Sequence, residues 1–114
     1  MELITENIGE ITRVTLLTEA LDAANAKWFK SRMLSVVEKS KKIVLDMRHV
    51  QFVDSSGCGA LLSSLRTVTS NGGDMKLASV QKPVQTLFEL IRLHRIVEMS
   101  EDSEMAIRSF EESL

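Results

Sequence analysis

The spacing of apolar positions divides the chain into short elements. Between Leu3 and Leu17, Val14 and Leu16 alternate with Arg13 and Thr15, and Asn7-Ile8-Gly9-Glu10 interrupts the segment. That period of two predicts a half-buried strand, here two antiparallel strands around a turn at Gly9. From Ala23 to Ser40 the period lengthens: Ala26, Phe29, Met33 and Val36 or Val37 recur at helical spacing. Asp22 stands ahead as an N-cap, and Lys39, Lys41 and Lys42 put cations where the helix dipole favours them.

Ile43-Val44-Leu45 is a continuous apolar run closed by Asp46, suited to a central strand covered on both faces. After a connection from Met47 to Val53, Leu61, Leu65 and Val68 mark a helix that stops at Asn71-Gly72-Gly73. A strand from Met75 to Val80 follows, then a helix with Pro83 in its first turn and Val84, Leu87, Phe88 and Ile91 along one side. Ile96-Val97 reads as a brief edge strand. Ser100 reads as the cap of a last helix with Glu101 and Asp102 in its first turn and Ile107, Phe110 and Leu114 on its apolar face. Strands alternating with helices from Ile43 onward require crossovers. The predicted class is α/β, one domain over residues 1–114, with a mixed, mainly parallel sheet in the order ββαβαβαβα.

Composition narrows the function. The 114 residues carry 14 basic and 16 acidic side chains, one Trp, four Phe and no Tyr. A nucleic-acid binder would show a basic face with stacking aromatics, so none is expected. The single Cys58 fits a reducing compartment and excludes a disulfide scaffold. The opening residues lack the pattern of a signal peptide, and no apolar run approaches a membrane span, so the expectation is a cytoplasmic protein without membrane insertion. His49 and His94 lie far apart with no cysteine pair, and Gly57-Cys58-Gly59 completes no nucleotide loop. No metal or cofactor is expected. The lysines between Ser31 and Lys42 read as a solvated helix face.

Candidate chemistry concentrates in Phe52-Val53-Asp54-Ser55-Ser56-Gly57-Cys58-Gly59, where a connection enters a helix. Asp54 or Ser55 can cap that helix, and Ser56 lies at its first exposed turn beside unpaired N–H groups. One reading is a cap followed by small residues that allow close packing. The other uses the same donors: a phosphate on Ser56 would meet a site that already favours an anion, while Asp54 would repel it. A docking partner losing about 3 to 4 kcal/mol would bind several hundredfold more weakly, enough for a switch. A serine hydrolase is disfavoured, because His49, Asp54 and Ser56 sit in one stretch and Asp54 replaces the glycine of a nucleophile elbow. Cys58 reads as a small packed residue, with a reactive thiol as the alternative.

The run from Ile43 to Asp46, then Val50 through Leu62 with its Asp-Ser-Ser-Gly element, resembles the signature of the STAS family of anti-sigma factor antagonists. The likeness extends to Leu21-Asp22, to Gly72-Gly73 before Met75-Lys76-Leu77-Ala78, and to Pro83-Val84 with Leu87-Phe88. The resemblance implies a regulatory binding protein and not an enzyme. Its partner would be an anti-sigma factor serine kinase of the histidine-kinase-like ATPase fold. That kinase would inactivate the antagonist by phosphorylating Ser56, and a PP2C-type phosphatase would restore it. Asp22, Asp54, Ser55, Gly57 and Cys58 would form the docking surface. The alternative is a STAS scaffold subunit of a lipid-transport or stressosome-like complex. Two positions depart from the family pattern: Glu19 replaces a common glycine, and Cys58 a larger apolar residue. With the edge near Ile96-Val97 too short for strand pairing, a monomer is expected when unbound.

Overall fold

A two-residue turn with Gly9 at positive φ joins β1 (Leu3–Ile8) to β2 (Ile11–Leu16), paired antiparallel from Leu3 opposite Leu16 to Ile8 opposite Ile11. The computed structural model describes residues 2–112. After a two-residue strand, β3 (Ala20–Leu21), come α1 (Ala26–Lys39) and β4 (Lys42–Asp46). A second two-residue strand, β5 (Phe52–Val53), precedes α2 (Ser55–Ser70), β6 (Asp74–Ala78) and α3 (Lys82–Leu90). A 3-10 turn (Leu93–Arg95), β7 (Met99–Ser100) and α4 (Ser103–Glu112) complete the described chain.

The main sheet has the order β1-β2-β4-β6-β7, parallel throughout except for the β1–β2 hairpin. β4 is central, with Ile43, Val44 and Leu45 all fully buried, because helices cover both faces. Val14, Leu16, Ile43, Leu45, Met75 and Leu77 point to the side of α1, α2 and α3. Ile11, Val44 and Ala78 point to α4. The α/β class and the order of its major elements are as expected.

Several boundaries differ. β2 is buried on both faces rather than half-buried: α4 covers its polar side, where Thr15 is buried and the Arg13 guanidinium bonds Ser103 and Glu104 at 3.1 and 2.9 Å. The edge strand expected at Ile96-Val97 forms at Met99–Ser100; Ile96 and Val97 instead close the 3-10 turn by donating to the Leu93 carbonyl. The last helix starts after Asp102, whose carboxylate accepts from the Met105 N–H at 2.9 Å, so Asp102 and not Ser100 caps it. Ile107 and Phe110 are buried as expected, and Leu114 lies outside the described residues. The α2 stop is a Schellman closure: Gly73 N–H donates to Val68 O at 2.9 Å and Gly72 N–H to Thr69 O at 3.0 Å, with Gly72 at φ +78.

Candidate functional site

Parallel strands send their C-terminal connections to one end of the sheet, and the two that matter are tied together by the small β3–β5 sheet. Ala20 pairs with Phe52 and Leu21 with Val53, while the Glu19 carbonyl accepts from the Gln51 and Phe52 N–H groups at 2.7 and 3.1 Å. This pairing draws the loop entering α1 against the loop entering α2.

Asp54 joins them. Its Oδ1 accepts from Gly57 N–H at 2.9 Å, capping α2, and its Oδ2 accepts from Ala23 N–H at 3.1 Å in the neighbouring loop. Of the two caps left open by the sequence, Asp54 fills the place. Asp22 does not cap α1: that position belongs to Asn25, which makes no side-chain cap. Asp22 Oδ1 instead accepts from Ala24 N–H at 3.0 Å, and Asn25 turns back to accept from Asp22 N–H at 2.9 Å and to donate to the Ala20 carbonyl at 2.8 Å. The result is a tight turn that holds Ala23 against Asp54.

Ser55 and Ser56 are exposed in the first turn of α2, and their N–H groups have no acceptor within the helix. Gly57 is buried beneath them. A methyl group there would run into the Leu21 carbonyl oxygen and stand 2.8 Å from Val53 Cγ1. Only glycine therefore lets α2 start this close to β3. Gly59 meets no such limit and lies open. Cys58 is buried, and burial together with the Asp54 carboxylate pushes its thiol above the ordinary range. That is packing chemistry, not an activated nucleophile.

Phe52 opens the segment that carries the two serines, but nothing local in the sequence says which way its ring faces. In the structure it is 56% exposed while Val53 turns inward, so an aromatic ring stands out from the strand that leads directly to the two serines. The alternation within β5 is the signal that exposes it, but it emerges only once Leu21 and Val53 pair. His49 and His94 are both exposed, and among the described residues no group of three or more His, Cys, Asp or Glu is placed to hold a metal. No helix among the described residues is long and apolar enough to cross a membrane.

Known proteins share this architecture. The Anti-sigma F factor antagonist of Paenibacillus polymyxa is 26% identical over 100 residues, covering 86% of each chain. The crystal structure of a Thermotoga maritima protein, a candidate anti-sigma factor antagonist, superposes with a TM-score of 0.83 at 25% identity, over 94% of this chain and 92% of that one. The Bacillus cell fate determinant SpoIIAA in its phosphorylated form shares the fold, with a TM-score of 0.70 at 18% identity over 95% and 99% of the two chains. The model of the STAS domain matches residues 3–106, and the chain belongs to that family.

Proposed function

We propose that this chain is a cytoplasmic anti-sigma factor antagonist that docks on an anti-sigma factor serine kinase through the paired loops around Ser56. Phosphorylation of Ser56 by that kinase abolishes docking, and a PP2C-type phosphatase reverses it. The observation that carries the reading is Ser56 itself. It is exposed on the first turn of α2, in a loop whose shape is set by Asp54 bonding both Gly57 and Ala23. The names of the relatives agree with the antagonist role, and a member of the same fold is known in a phosphorylated form.

Each residue has a physical part. Ser56 accepts the phosphate; the free first-turn amides and the helix dipole tolerate its charge without refolding. Asp54 fixes the loop and adds like-charge repulsion, so the modified surface rejects an apolar or acidic partner. Gly57 permits the close approach of the two loops, Cys58 anchors the turn, and Asp22 and Ser55 border the acceptor. Phe52 supplies the exposed aromatic contact typical of an interface centre.

The test is affinity capture from native cytosol with ATP depleted, using wild-type, Ser56→Ala and Ser56→Asp proteins, followed by titration of the retained kinase. Wild type and Ser56→Ala are expected to hold an ATP-binding serine kinase. Ser56→Asp should lose about 3 kcal/mol, more than a hundredfold in affinity. Equal affinities for the two variants overturn the switch and favour a scaffold role for the domain.

A further inference from the structure

The two edges of the main sheet are unlike. β7 offers two residues. β1 offers six, Leu3–Ile8, with β2 as its one neighbour in the sheet. Edge strands are normally blunted by shortness, by lysine or proline, or by a bulge. β1 contains no lysine, proline or glycine, its register with β2 runs without a break, and its four central residues are exposed, Ile4 at 48%.

The register also says which main-chain groups are free. Leu17 N–H donates to the Glu2 carbonyl at 2.9 Å, and in an antiparallel ladder residues two apart share direction. Ile4, Glu6 and Ile8 therefore turn their N–H and C=O groups to β2. Leu3, Thr5 and Asn7 turn theirs outward.

We propose that β1 pairs antiparallel with β1 of a second copy of this chain, about a two-fold axis at Thr5, so that the two five-stranded sheets become continuous. Thr5 then faces Thr5 of the second copy and Leu3 faces its Asn7. All three outward residues of each copy are satisfied, about six main-chain hydrogen bonds from three donors on each side. Charge favours a copy in this register. Glu6 is the one charged residue of β1, it is already paired with Arg13 at 2.8 Å, and it falls opposite Ile4 of the second copy, whose exposed side chain its stem covers. Sliding by one step, to centre on Glu6, sets carboxylate against carboxylate and leaves one outward residue of each copy unpaired. The Thr–Thr pair on the axis is a favourable cross-strand pair. Asp22 lies on the β3–α1 connection, Asp54 caps α2 and Ser56 sits in its first turn, so the paired strand uses no residue of the Ser56 loop.

A single strand pair is at the small end of specific interfaces, so association is expected at roughly 0.1 mM. Sedimentation equilibrium of the whole chain from about tenfold below to tenfold above that concentration reads it directly. Wild type should pass from monomer to dimer. Thr5→Pro removes an outward N–H without breaking the ladder to β2, and Thr5→Lys places like charges on the axis; each should remove the dimer while circular dichroism shows the fold intact. Under mild oxidation Thr5→Cys should cross-link between copies, since facing residues of such a pair lie about 5.5 Å apart at Cα, whereas Asn7→Cys should not. A wild type that stays monomeric throughout overturns the proposal. A dimer that survives both Thr5 variants, or one cross-linked through Asn7→Cys and not Thr5→Cys, overturns this edge or this register.

Discussion

On one face of the central sheet, α1, α2 and α3 close over a continuous core that includes Phe29, Met33, Leu61, Leu65 and Phe88; on the other, α4 alone covers a patch of six buried residues, Ile11, Val44, Ala78, Ala106, Ile107 and Phe110. The second face makes up in polar contacts what it lacks in area. Lys76 Nζ donates to Ser109 Oγ at 2.6 Å, Ser109 donates to Glu98 at 2.7 Å, and the ammonium lies 4.3 Å from the centre of the Phe110 ring. Arg13 holds the other end of α4 through Ser103 and Glu104 while also pairing with Glu6. The difference teaches where the Ser56 loop draws its rigidity. α2 is anchored in the large core, so the loop at its start does not depend on α4.

The largest effect should come from Phe29→Ala, which empties a fully buried site in the large core and should cost about 3 to 5 kcal/mol in urea unfolding. Phe110→Ala should cost less, toward the low end of that range at about 3 kcal/mol, because the open cleft of about 680 Å³ beside it lets water reach the gap. Hydrogen exchange should then quicken in α4 while α2 stays protected and partner capture through Ser56 is unchanged. If capture falls with Phe110→Ala, the two faces are coupled and the Ser56 loop does depend on α4.

The smallest effect concerns the clasp. The Ser109 hydroxyl and then the Lys76 ammonium hold the Glu98 carboxyl below its ordinary value. A carboxyl lowered on folding stabilises the protein above its unfolded pKa of about 4.3, and that contribution disappears as pH falls through the folded value. Because Glu98 is half-exposed, Glu98→Gln should cost no more than about 1 kcal/mol at pH 7. In acid, below the folded value, wild type and variant should become equally stable. A gap that persists there would assign the effect to packing.

The long elements were legible in the sequence because each carries several apolar residues at one period: α1 by Ala26, Phe29 and Met33, and β4 by Ile43 to Leu45. A cap and an exposed hydroxyl at the start of α2 were legible as types, since local backbone needs select them, but not that Asp54 rather than Ser55 caps, nor that Gly57 and not Gly59 is the close-packed glycine. The start of α1 after Asn25 and the cap at Asp102 were missed because several adjacent residues can begin or cap a helix and only the path of the incoming chain chooses. β3 and β5 were missed because two residues hold no period; they exist only because Glu19 to Leu21 and Gln51 to Val53 meet across the fold.

The pattern of apolar positions by itself determined the α/β class and the succession of major elements, because burial periodicity and helix capping act over a few neighbouring residues. Tertiary structure decided what depends on distant partners. It brought Ala23 to Asp54, turned Phe52 outward, buried the polar side of β2 beneath α4 and left β1 as the long free edge, since all of these are set by which segments meet and not by the residues of any one segment.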